Sequence, residues 1–194
     1  MDRREALKRT ALVMGGIVSA PTILAILNGC TAKHTIDWKP VFFTEDQGIL
    51  ISDLVGIIIP KTDTPGAKEV GVPGFIDLMV KDVLTQKERD QFMAGLKAFD
   101  EDCKKNYGDS FIEMNSEQQT AFVKKVHDAA IAGFKPGPDR DMSFILKVKE
   151  LTVAGYFTSE IGATKVLQYE AVPGAYHGCL PLAEAGNGKT WATS

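Results

Sequence analysis

Phe92, Leu96, Phe99 and Cys103 recur at intervals of four, three and four, which places them on one stripe of a helix. Lys87, Glu88, Arg89, Asp90 and Lys97 surround that stripe, so one face seeks a core and the rest seeks water. The same helical period returns between Pro and Gly breaks along most of the chain. Alternating apolar and polar runs of the strand type are nearly absent. The chain is therefore expected to be all-α, a single compact helical domain of about five main helices over 41–194. Thr44 with Gln47 three residues on resembles a capping box, and Ile49, Leu50, Ile51, Leu54, Val55, Ile57, Ile58 and Ile59 then cover most of a helix that Pro60 ends. Pro73 suits the first turn of a second helix carrying Ile76, Met79 or Val80, and Val83. Thr85 caps the third, which Gly108 breaks. Ser116 with Gln119 reads as the capping box of the fourth, with Phe122 and Val126 on its inner face, and Asp141 as the cap of the fifth. The last thirty residues, rich in Gly and Pro, read as an irregular tail.

Ahead of this body stands a different kind of segment. Arg3, Arg4, Lys8 and Arg9 make a basic start, and Ala11 to Leu27 is an apolar run broken only by Ser19 and Thr22. A spanning helix needs about 20 mainly apolar residues, and this run is shorter and contains Gly15, Gly16 and Pro21, so it reads as a signal peptide over 1–29. Leu27-Asn28-Gly29-Cys30 resembles the lipobox of bacterial lipoproteins, in which the Cys is acylated and becomes the new N-terminus. Arg3-Arg4 followed by Leu7-Lys8 resembles the twin-arginine export signal, with Asp2 and Ala6 as departures. The plainer reading is two arginines that only supply positive charge for general secretion. Residues 30–40 then form a tether, and the expected location is a membrane lipoprotein facing the periplasm, its leaflet open.

The 22 Lys+Arg against 25 Asp+Glu give a net charge of -3, and no basic stretch beyond the first nine residues could follow a phosphate backbone. Nucleic-acid binding is disfavoured. Three Cys and three His stand at no metal-ligand spacing, and no nucleotide-binding loop, nucleophile elbow or zinc-protease motif occurs, so no catalytic, cofactor-binding or metal site is assigned. His34, His127 and His177 have no assignable orienting partner, and the pair Glu101-Asp102 reads as a solvated face. Cys103 and Cys179 are candidates for a disulfide that would close a loop of about 75 residues, worth a few kcal/mol in the chain-entropy model. The alternative is two separate buried thiols, since Cys103 falls on an apolar stripe. Asp63, in Thr62-Asp63-Thr64-Pro65-Gly66, reads as a turn residue bonded to its own backbone, or else as a functional carboxylate. Phe42, Phe43, Tyr156, Phe157, Tyr169 and Tyr176 fit either a core or an interface.

A resemblance covers residues 38 to 183. Trp38 with Phe42-Phe43-Thr44, Ile58-Ile59-Pro60-Lys61-Thr62-Asp63-Thr64-Pro65-Gly66-Ala67, Gly71-Val72-Pro73 and Phe75-Ile76-Asp77 are similar to the gluconate 2-dehydrogenase subunit 3 family. So are Tyr107-Gly108 with Phe111, Gly155 to Glu160, Tyr169 with Pro173-Gly174, and Gly178-Cys179-Leu180-Pro181. The resemblance implies a non-catalytic small subunit of a membrane-associated sugar or sugar-acid dehydrogenase. Its implied partner is a large flavoprotein of the glucose-methanol-choline family that holds FAD, with haem c in a cytochrome as a third component. The small subunit would carry the export signal for the pair. Cys30 departs from the family pattern and suggests that this chain is itself the anchor. The rival reading is a stand-alone periplasmic or surface lipoprotein that binds a small ligand.

Overall fold

Thr44 opens the first helix, α1 (Glu45–Ile58), through a reciprocal pair of bonds: its hydroxyl accepts from the Gln47 amide at 3.3 Å, and the Gln47 side chain accepts from the Thr44 amide at 3.0 Å. The computed structural model describes residues 36–134, 137, 142–172, 174–175, 179–181, 183–184 and 188–192. Residues 35–194 cluster as one unit. The export-signal residues Arg3, Arg4, Leu7 and Lys8, and Cys30 with its proposed lipid, lie outside the described residues.

Gly71, at φ 80°, turns the chain into α2 (Val72–Leu78), where Pro73 occupies the first turn and loses no hydrogen bond. That helix runs on into one π-helical turn, Met79–Val83. Arg89 covers the end of it, its guanidinium donating to the carbonyls of Val80 at 3.0 Å and Lys81 at 2.6 Å while lying over the Phe42 ring. Thr85 and Glu88 form the capping box of α3 (Gln86–Tyr107), and Gly108, at φ 86°, ends it. A 3-10 turn (Phe111–Glu113) leads to α4 (Ser116–Gly133), and α5 (Phe144–Thr158) is followed by a second π-helical turn (Gly162–Val166). Among the described residues there is no strand, only one isolated bridge between Gln168 and Trp191. The all-α expectation holds, with five α-helices over the described residues.

Helix α5 packs against α1, α2, α3 and α4 and so forms the hub of the core. Two glycines set how closely it is approached. A Cβ at Gly95 would stand 2.6 Å from that of Phe144, and one at Gly155 would stand 2.6 Å from the Phe75 ring. Around these contacts runs a chain of rings: Phe43 stacks on Phe92, Phe92 meets Phe144 edge-on at 5.1 Å, and Phe99 touches Phe111 and Phe122 at the same distance.

Two helix starts differ from the sequence expectation. The cap of α4 is Asn115, which pairs with Gln118, not Ser116 with Gln119. Both registers satisfy the pattern, and the choice falls to Gln119, which is buried and donates to the Phe111 carbonyl at 2.9 Å. The cap position of α5 is Ser143, two residues after the expected Asp141, which lies outside the described residues.

Candidate functional site

The loop between α1 and α2 holds the Thr62-Asp63-Thr64-Pro65-Gly66 motif, and every turn of it is tied down. The Ala67 amide donates to the Ile59 carbonyl at 2.9 Å, Thr62 to Thr64 at 3.0 Å, and Val72 to Ala67 at 3.1 Å. Tyr156, from the far end of α5, donates its hydroxyl to the Pro65 carbonyl at 2.7 Å across 91 residues of sequence. Gly66 is the position with no substitute. A Cβ there would meet the Lys61 amide nitrogen at 2.6 Å and the Pro60 carbonyl carbon at 2.9 Å, both backbone atoms that cannot swing aside. Gly66 and Ala67 are thus buried, while Lys61, Thr62 and Asp63 project to solvent on a rigid base. The loop is closed by these backbone and tyrosine bonds, with the Asp63 side chain on its outer surface.

Two buried carboxylates were not singled out as functional groups by sequence reasoning. Asp53, on α1, receives the Lys68 ammonium at 2.6 Å and lies 3.5 Å from the Gln119 amide nitrogen, so it joins α1, the loop and α4. Asp77, on α2, is fully buried and accepts three backbone amides: Val41 at 2.7 Å, Phe42 at 3.2 Å and Phe43 at 2.8 Å. Both partners lie far off in sequence, so no local spacing announces them. These carboxylates organise backbone and helices.

A family model for gluconate 2-dehydrogenase subunit 3 matches residues 45–174, more than half of the chain, from the first residue of α1 to beyond the second π-helical turn. The chain belongs to that family. Comparison with curated proteins and with solved structures returned no match. The matched span contains the whole pinned loop, both buried carboxylates and the α5 hub.

The remaining chemistry-bearing groups of this subunit 3 family member are dispersed. His127, on α4, has its Nε2 2.9 Å from the Lys149 ammonium, which makes that nitrogen an acceptor, and its Nδ1 3.4 Å from Asp128. His34 and His177 lie outside the described residues. No group of three or more His, Cys, Asp or Glu among the described residues is placed to hold a metal ion. No helix among them is long and apolar enough to cross a membrane. The expected disulfide between Cys103 and Cys179 is not formed: Cys103 is fully buried within the core stripe of α3, and Cys179 is exposed. Burial, with Asp100 and Asp102 adding to it, pushes the Cys103 thiol up to about 12. Of the aromatic set, Phe43 and Tyr156 belong to the core, Phe42 and Phe157 flank it, and Tyr169 is exposed; Tyr176 lies outside the described residues.

An open groove of about 810 Å3 runs between α1, α3 and the 3-10 turn. Leu50, Met93, Leu96 and Ile112 form its floor. Its rim carries Asp46, Asp100, Glu101 and Glu113 against Lys97 and Lys104. Both lysines are held by acids of their own helix, Lys104 by Asp100 at 2.7 Å and Lys97 by Glu101 at 3.8 Å. Glu113 lies below the usual carboxylate range because the Ser110 hydroxyl and amide donate to it. The Trp38 indole nitrogen, next to a second hollow lined by Ile36, Pro40 and Phe43, is buried with no acceptor among the described residues.

Proposed function

We propose that this chain is the non-catalytic small subunit of a membrane-associated, FAD-dependent sugar or sugar-acid dehydrogenase. In this reading it binds a large flavoprotein of the glucose-methanol-choline family, accompanies that partner through twin-arginine export, and holds it at the membrane through acylated Cys30. FAD belongs to the partner, and haem c to a cytochrome that accepts the electrons. The observation that carries the reading is the family match over 45–174. Two features support it. Asp53, Asp77 and Tyr156, the polar side chains that lie deepest around the motif loop and the first helices, hold internal structure together. The N-terminal sequence combines a twin-arginine-like pair, Arg3-Arg4, with a Cys at a lipobox position.

Deletion of this chain in its own host tests the proposal. The flavoprotein should then remain in the cytoplasm or be degraded, and dehydrogenase activity should disappear from the periplasmic face. Undiminished periplasmic activity in the deletion strain would rule the accessory role out.

A further inference from the structure

The described chain begins against its own body. A Cβ at Gly48 of α1 would stand 3.1 Å from Pro40, 3.2 Å from Ile36 and 3.5 Å from Trp38, so this first stretch lies flat on the helix. Asp77 then fixes the next three residues by their amides. Exposed apolar side chains stand on and beside this fixed stretch. Val41 is 58% exposed, Leu78, next to the Asp77 that holds it, is 50% exposed, and Val83, one π-helical turn further on, is 62% exposed. Five residues separate Cys30 from Ile36, six Cα–Cα steps that when fully extended span at most about 21 Å. A folded unit of this size has a radius of gyration of roughly 15 Å and so a width near 40 Å. A link that short cannot reach around the body. With Cys30 acylated at a bilayer surface, the side on which Ile36 to Phe43 lie is the side held toward the lipid.

We propose that the face formed by Val41, Leu78 and Val83 rests on the lipid surface and fixes the orientation of the subunit there. The exposed charges around it, Lys39 and Lys81 against Asp37 and Asp82, balance, so apolar contact rather than attraction to anionic headgroups would hold it. The inference rests on the acylation of Cys30 proposed above.

Single cysteines at Val41, Leu78, Val83 and, for comparison, Lys105 test it, each introduced into a full chain carrying Cys179→Ser and exported with its own leader. Lys105 stands about 24 Å along α3 from Arg89, at 1.5 Å per residue. Each variant is purified from membranes with whatever accompanies it, spin-labelled, and returned to vesicles of phosphatidylethanolamine and phosphatidylglycerol. Collision with oxygen relative to a water-soluble nickel chelate is then measured, and intact mass reports the acyl chains on Cys30 independently. The expected result is an oxygen-to-nickel ratio several-fold higher at positions 41, 78 and 83 than at 105. An acylated chain with equal ratios at all four positions would overturn the proposal, as would labels at 41, 78 and 83 that neither reagent reaches, since a protein would then cover the face. A chain of unmodified mass would remove the acylation reading, and this orientation with it.

Discussion

Asp77 shows how a carboxylate is tolerated where no water reaches. Three amides of one short segment converge on it, and each bond between a backbone N–H and an ionised carboxylate is stronger than a neutral one. Asp77→Ala would leave those donors without their acceptor and is expected to cost about 3 kcal/mol or more, read as a fall in the urea midpoint. The amides of Val41 and Phe43 should also exchange faster with deuterium, which a purely global effect would not single out. Cys103 gives a second expectation at this scale. Its folded thiol is raised from 9.0 to about 12, so between those values the unfolded chain releases a proton that the folded chain keeps. Its contribution is complete below pH 9 and is lost as pH climbs toward 12. Cys103→Ala should flatten that alkaline decline in a pH series of thermal unfolding. A thiol reagent at pH 8 should modify Cys179 in the native protein and Cys103 only after denaturation. Cys103 and Cys179 stand as separate thiols in the structure, for a reason the sequence already held: a side chain on the apolar stripe of α3 points into the core, away from an exposed tail.

At the scale of elements, helix identity was legible because the local signals agree: period, cap and break point the same way for α1 and α3. Where two local registers compete, tertiary contacts decide. Asn115 and Ser116 are both good caps, and the burial of Gln119 against Phe111 selects the first. The motif loop was legible as ordered but not in its means, since Tyr156 and Gly66 act through a distant hydroxyl and a backbone approach. The closest helix contacts were not legible either, because a glycine in a helix reads as a weak point until its neighbour is known. At Gly155 that neighbour is the Phe75 ring. Gly155→Ala gains helix propensity of about 1 kcal/mol but must displace the ring, and the net expectation is a loss of about 1–3 kcal/mol. Differential scanning calorimetry on the same full chain with Gly133→Ala, where nothing lies within 4 Å, supplies the comparison: that variant should be neutral or slightly stabilised.

For the whole molecule, the helical scaffold carries the family match, and the proposed function adds an N-terminal address ahead of it. The address makes its own prediction. Replacing both Arg3 and Arg4 by Lys preserves positive charge, so general secretion should proceed unchanged, whereas twin-arginine export should fall at least tenfold, measured as periplasmic accumulation by protease protection. The partner cannot be read from the scaffold alone, because a surface that fits another protein obeys no internal spacing. It is the family match, together with the structural use of Asp53, Asp77 and Tyr156, that directs attention to a second chain. The most direct measurement is purification of the full chain from its own membranes in mild detergent, with mass spectrometry of what accompanies it and a visible absorption spectrum. The account predicts a large companion chain and a flavin spectrum. A colourless single chain that stays monomeric would contradict it and favour a lipoprotein that works alone.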